Sequence, residues 1–290
     1  MAVTNVLVIG ATGMLGKPVT AELLNAGFRV FALVRSPEKA KRELPSDVNF
    51  IRGDLKKKED VMLAMKGMDA VYLNLSIKRE EKKNEFHSES DGLEYVIAAA
   101  KENGIKRILY LSSIIMRYNN MDGFKWWVFD IKNQAVEKIR SSGIPYTIFY
   151  PSNFMQSLSN LYKMGDKMML AGKSKHKMYF IAAEDYGKQV AKSLSFSDSA
   201  NREYVIQGPE GFTADEAVKV FIQHYKKEKL SHWSSPLLML KIMGWFKQEY
   251  DYGYHIVKAL NNYPEKFEAE KTWQELGKPE ITVARFAESA

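Results

Sequence analysis

Gly10, Gly13 and Gly16 fall within residues 5–16, at the junction between the apolar run Val6-Leu7-Val8-Ile9 and a stretch where Leu15, Val19 and Leu23 recur every four residues. Glycine at such a junction permits a tight turn, lets backbone N–H groups approach an anion, and lets helix pack closely on strand. The anion this arrangement suits is a dinucleotide pyrophosphate, so Gly10, Thr12, Gly13, Met14, Leu15 and Gly16 are candidate cofactor contacts. Spacing alone is weak evidence for a phosphate site. Here a buried-strand run precedes the glycines, and an amphipathic helix with Gly27 as its C-terminal cap follows them.

Nineteen residues beyond Gly16, at the end of the second apolar run, stands Arg35, where a chain specific for NAD usually carries Asp or Glu. An arginine there accommodates a 2′-phosphate, and Ser36 and Lys39 could complete a cationic nest. NADP is therefore expected in preference to NAD, the alternative being a solvated arginine at a strand end. Gly53-Asp54-Leu55 closes a third strand and Asn74-Leu75-Ser76 a fourth, both at the carboxyl edge of the expected sheet. For Gly53 and Asp54 a plain turn is the competing reading.

The G-x-x-G-x-x-G spacing in this setting resembles the extended and atypical short-chain dehydrogenase/reductases. In such enzymes Tyr-x-x-x-Lys supplies the proton and holds the nicotinamide ribose. Here Trp126-Trp-Val-Phe-Asp-Ile-Lys132 puts Val128 where the tyrosine would stand. Tyr225 with Lys229, and Tyr254 with Lys258, match the letters but lie far along the chain and are read as coincidences.

Lys132 followed by Glu137, Gly143-Ile-Pro-Tyr-Thr147 and Pro151-Ser-Asn-Phe154 resemble more specifically the NmrA-like family, which includes isoflavone-reductase-type enzymes, quinone reductases and redox-sensing regulators. The resemblance runs from the first strand to about Gly211. It implies that 53–55 contacts the adenine and that 74–76 passes the ribose and phosphates. It also implies that Lys132 is the surviving catalytic residue, bonding the nicotinamide ribose and polarising an acceptor oxygen. The family's active-site serine falls at Ser112 or Ser113; Ser113 is taken as the candidate, although the sequence does not separate them. Pro151, Asn153 and Phe154 would flank the nicotinamide, with a core position equally open to Phe154. Tyr118, Trp126, Trp127 and Phe129 could stack on an aromatic quinone, but lobe packing is the commoner fate of such rings.

The elements needed to position these residues alternate regularly. Strands are expected at 5–11, 29–36, 48–53, 69–75, 107–113 and 146–151, with helices between them; those at 88–103 and 130–142 end at Gly104 and Gly143. This predicts a doubly wound parallel α/β sheet, a Rossmann fold in the order 3-2-1-4-5-6. Short strands follow at 179–181 and 204–207, the latter extending the sheet. Thr213-Ala-Asp-Glu216 is a capping box for a helix running to about Lys229, and the remainder reads as mainly helical. The expected division is a dinucleotide-binding domain over 1–153, to which 176–211 returns, and a smaller substrate-side lobe from 154–175 and 212–290.

The 290 residues are 46% hydrophobic, ample for a core, and contain no cysteine, which removes disulfides and thiolate chemistry. The five histidines have no metal-ligand spacing, so no metal is expected. The net charge of +7 is scattered through short lysine runs and comes with no nucleic-acid-binding motif, so nucleic acid is not an expected partner. The first strand begins at once, without a secretion signal, so the cytoplasm is expected. The apolar run 236–246 is interrupted by Lys241 and is shorter than the roughly 20 residues a bilayer demands. It reads as a core or pocket helix, or a homodimer interface, and no membrane partner is expected.

Function is thereby narrowed to two candidates. One is an NADPH-dependent reductase passing hydride to a small quinone or carbonyl acceptor. The other is a non-catalytic NAD(P)-binding redox sensor acting through a protein partner. Sugar-nucleotide epimerisation is disfavoured because it normally needs the missing tyrosine as base.

Overall fold

The computed structural model describes residues 3–290. Strands β1 (Asn5–Ile9), β2 (Arg29–Val34), β3 (Asn49–Arg52), β4 (Ala70–Leu73), β5 (Arg107–Leu111) and β6 (Tyr146–Pro151) form a parallel sheet in the order 3-2-1-4-5-6. Between them lie helices α1 (Gly16–Asn25), α2 (Pro37–Ala40), α3 (Lys58–Ala64), α4 (Leu93–Glu102) and α5 (Trp127–Arg140). The chain is a doubly wound α/β protein, as expected.

Parallel strands buried on both faces read as continuous apolar runs, and each face feeds its own core. Leu7 and Ile9 of β1, with Ile108 and Tyr110 of β5, join the cluster under α3, α4 and α5. Val6, Val8, Leu109 and Leu111 point the other way, into the cluster that Val19 and Leu23 of α1 complete. Gly27, Gly104 and Gly143 all have positive φ just past their helices, the backbone state that stops a helix.

After β6 come β7 (Lys163–Met164), β8 (Lys167–Ala171), β9 (Met178–Tyr179), α6 (Ala183–Ser193) and β10 (Arg202–Ile206). The last of these pairs in parallel with β6 and makes the seventh strand of the main sheet, while α6 closes the α1 side. The remaining elements are β11 (Gly211–Phe212), α7 (Ala214–His224), β12 (Ser231–Ser235), α8 (Leu237–Gly244), α9 (Gln248–Asn262), α10 (Glu270–Leu276) and α11 (Val283–Ser289). A third core, with Met155, Phe180, Val218 and Phe221 among its members, lies under α7 and α11.

The structure refines or corrects four of these expectations. The helix expected at 88–103 begins as a π-helical turn over Ser88–Gly92 before continuing as α4. The capping box at Thr213 and Glu216 is present, but α7 ends at His224, where Tyr225 stacks back on Phe221 and Glu228 pairs with Lys163. The C-terminal part is mainly helical, as expected, and also carries a small sheet in which β12 pairs in parallel with β8, which pairs antiparallel with β7. Most consequentially, α8 is no core helix, since none of its residues is buried. An apolar sequence predicts a preference for cover, and only the neighbours decide whether cover is supplied.

Candidate functional site

Gly10 sits at φ +88°, and a Cβ there would lie 2.3 Å from the Asn74 carbonyl oxygen. A Cβ at Gly16 would lie 2.1 Å from the Gly10 carbonyl oxygen. Both glycines are thus required by close approach, one of the turn to β4 and the other of α1 to the turn. The Asn74 Nδ2 donates to the Gly10 carbonyl at 3.2 Å, tying the turn after β1 to the end of β4. No side chain caps α1 and its first turn carries no acid, so the protein leaves the helix's positive end unneutralised. An anion, such as a pyrophosphate, fits that end. Thr12 and Met14 are exposed and Leu15 is half-buried at the same turn.

Arg35 and Ser36 are exposed just beyond β2, and among the described residues Arg35 makes no hydrogen bond or ion pair. Lys39 lies 3.9 Å from Glu43, whose carboxylate is also bound by Lys17 at 2.9 Å. Arg35 is therefore the one of these two cations that has no ion-pair partner among the described residues. At the next strand end, the Asp54 carboxylate accepts from the backbone N–H of Lys56, while the Asp54 N–H donates to the Asp60 carboxylate. Leu55 packs against Gly92, Leu75 is buried and Ser76 is exposed. The 53–55 segment is thus occupied in making its own turn.

Lys132 is held in a way the sequence did not reveal. Its ammonium donates to Glu89 Oε1 at 2.6 Å, and the Tyr110 hydroxyl donates to the same oxygen at 2.8 Å. Glu89 is completely buried, and its Oε2 has no hydrogen-bond partner among the described residues. Burial, and then the Glu89 charge, hold the Tyr110 phenol well above its usual range; the same two causes push Tyr252 up to about 12. In the sequence Glu89 lies in Ser-Glu-Ser-Asp, a polar run that reads as solvent-facing. Only the π-helical turn before α4 brings it beneath α5.

Val128, at the missing tyrosine's position, lies on the buried face of α5 and offers no hydroxyl. Ser112 is buried, with its hydroxyl against the Met116 sulfur, whereas Ser113 is half-buried, so Ser113 is the more accessible of the two. Pro151 ends β6, and Asn153 Nδ2 donates to the Tyr162 hydroxyl at 3.2 Å. Phe154 turns inward: it is buried, bridges to Ile181, and meets the Tyr186 ring at 5.5 Å. Tyr118, Trp126 and Phe129 are likewise buried, while the half-buried Trp127 packs on His87. Packing is therefore the role these rings visibly fill. Among the described residues, no cluster of His, Cys, Asp or Glu could hold a metal ion.

A glycine turn entering an uncapped helix at the carboxyl edge of a 3-2-1-4-5-6 parallel sheet defines an NAD(P)-binding Rossmann-type protein. Within that class the chain belongs to the NmrA-like family, whose sequence model matches residues 3–228. It is 25% identical over 265 residues to the photosystem II assembly factor Ycf39 of Trieres chinensis, covering 88% of this chain and 80% of that protein. Its fold is similar to that of a nucleoside-diphosphate-sugar epimerase from Staphylococcus aureus, with a TM-score of 0.76, 20% identity, and coverage of 98% of this chain and 100% of the other. An NADPH-dependent quinone oxidoreductase from Escherichia coli, solved with NADPH, is similar with a TM-score of 0.72, 20% identity, and coverage of 98% and 99%. Among the described residues, no helix is long and apolar enough to cross a membrane.

Proposed function

We propose that this chain is an NADPH-dependent reductase that passes hydride to a small quinone or carbonyl acceptor. The observation that carries the reading is Lys132, whose ammonium is fixed by the wholly buried Glu89 on the face of the sheet covered by α5. A buried ion pair is a poor source of stability compared with apolar packing, so its retention favours a role for the lysine. The turn at Gly10–Gly16 and the end of α1 would hold the pyrophosphate, and Arg35 with Ser36 would hold the 2′-phosphate. NADPH, when bound, supplies the hydride. Lys132 would hold the nicotinamide ribose, Ser113 would offer a hydroxyl to the acceptor, and the lobe formed by 154–175 and 212–290 would exclude water from above. Charge developing on the acceptor oxygen would be stabilised by Lys132 and its proton taken from solvent, which a quinone tolerates.

Buried Val128 favours a second reading, a non-catalytic redox sensor, because no tyrosine is available at that position to supply the proton. A stopped-flow assay separates the two. The reductase reading expects bound NADPH to be oxidised by at least one member of a quinone and aldehyde panel, and expects Lys132→Ala to slow that step about 100-fold. Tight NADPH binding with no oxidation by any acceptor would overturn it in favour of the sensor.

A further inference from the structure

Helix α8 turns a row of large apolar side chains to solvent. Leu238, Met239 and Ile242 lie on its outer face, and Trp245 and Phe246 continue the row in the turn that ends it; Leu238 is 60%, Trp245 75% and Phe246 82% exposed. The half-buried positions Leu237, Leu240, Met243 and Gly244 make the opposite side. That side faces α9, where a Cβ on Gly244 would lie 2.9 Å from the Asp251 Cα. An apolar face of this extent marks a docking surface.

The chemistry of the face selects its partner. Residues 236–247 contain no acid, and their two charges are Lys241 and Lys247, both exposed and neither ion-paired among the described residues. The nearest acids in sequence, Glu249 and Asp251, belong to the first turn of α9. Apart from the two ammonium groups, the outer face offers one indole N–H and no other side-chain hydrogen-bonding group. A protein partner usually meets a polar rim with matching donors and acceptors, and this helix has almost none to offer. A second copy of the chain, related by a twofold axis, would set the same lysines against each other. A helix about 12 Å long, apolar outward, with Trp and Phe at one end and lysines that can extend their ammonium groups from apolar stems, has the composition of an in-plane interfacial helix. The positive charge of the patch complements acidic headgroups.

We propose that α8 docks this protein on the surface of a bilayer containing anionic phospholipid. The expectation of no membrane partner followed from the absence of a spanning segment, and surface docking requires none. Because α8 rests on α9, and Tyr252 of α9 meets Trp126 at the start of α5, docking would place the bilayer on the Lys132 side of the molecule. The inference is independent of the reductase reading.

The test is co-sedimentation of the full chain with vesicles of phosphatidylcholine alone, and with vesicles containing about one quarter phosphatidylglycerol. The wild type is expected to partition onto the anionic vesicles and to be released by high salt. Trp245→Ser/Phe246→Ser should weaken partitioning at least tenfold. Lys241→Glu/Lys247→Glu should weaken it by about fivefold or more per lysine. All four side chains are exposed, and circular dichroism should confirm that the variants fold. Failure of the wild type to bind either vesicle would overturn the proposal, as would undiminished binding by the Trp245/Phe246 variant. So would a wild-type dimer, seen by analytical ultracentrifugation, that the same variant dissociates, since a second copy would then cover the face.

Discussion

Lys132 and Tyr110 donate to the same Glu89 oxygen, in a setting where an isolated charge is expensive. Removing either Glu89 or Lys132 strands the other, so Glu89→Gln and Lys132→Met should each lower unfolding free energy by about 3 kcal/mol. The double variant should cost less than the sum by more than about 1 kcal/mol, which a double-mutant cycle in urea would measure. Strict additivity would show that the pair is not energetically coupled. Lys132 was legible from its neighbours in the chain, whereas Glu89 was not, because a carboxylate in a polar run carries no local mark of burial. Arg35 makes the opposite case: its position after β2 is local information, and among the described residues its side chain has no hydrogen bond or ion pair. Arg35→Asp should weaken NADPH binding by at least about tenfold while leaving NADH binding within about threefold, as one charge-assisted contact is lost and a repulsive one gained. Equal loss for both nucleotides, measured by fluorescence titration, would remove Arg35 from 2′-phosphate recognition.

At the scale of elements, the strand–turn–helix of β1 and α1 is specified by local chemistry. Gly10 is needed both for its positive φ and for its contact with the Asn74 carbonyl, so Gly10→Ala should destabilise the fold by about 1–3 kcal/mol. Thermal melting would register this as a fall of several degrees, and an unchanged midpoint would mean that the turn relaxes freely. The helix ends at Gly27, Gly104 and Gly143 were readable for the same reason, since glycine at a helix end acts through its own backbone. The pairing of β12 with β8 was not, because those strands are separated by about 60 residues and Ser231–Ser235 carries no alternating apolar pattern. Helix α8 was recognised as apolar but assigned to the interior. Periodicity reports which side chains avoid water and is silent about which neighbour covers them.

Across the whole molecule, residues 263–269 run over the carboxyl ends of β6 and β10 and tie the C-terminal elements to the sheet. Ser152 donates to Glu265 at 2.9 Å, Gln207 donates to the other carboxylate oxygen at 2.7 Å, and the Glu268 N–H donates to Gln207. Burial pushes the Glu265 carboxyl up from its ordinary 4.5 to about 7. The folded state therefore holds this proton more tightly than the unfolded chain. Its contribution to stability is complete below pH 4.5 and is lost as pH rises through 7. The loss amounts to about 3 kcal/mol. Urea midpoints taken from pH 5 to 8 should decline in the wild type, and Glu265→Gln should flatten the decline. An equal slope in the variant would assign the pH dependence to other groups.

The sequence by itself determined the family, the parallel sheet and its order, and the glycine turn after β1, because the alternation of apolar strands with amphipathic helices, the handedness of their crossovers and the backbone states that glycine favours are all written locally. Only the tertiary structure decided that Lys132 is paired with a buried glutamate, that Phe154 and Trp126 face the core, and that α8 lies bare. Those outcomes depend on which distant segments meet, and burial is a property of the meeting rather than of either segment. The glycines mark where a dinucleotide would lie, while the partners of Lys132 and the uncovered face of α8 direct attention to what acts on it and where.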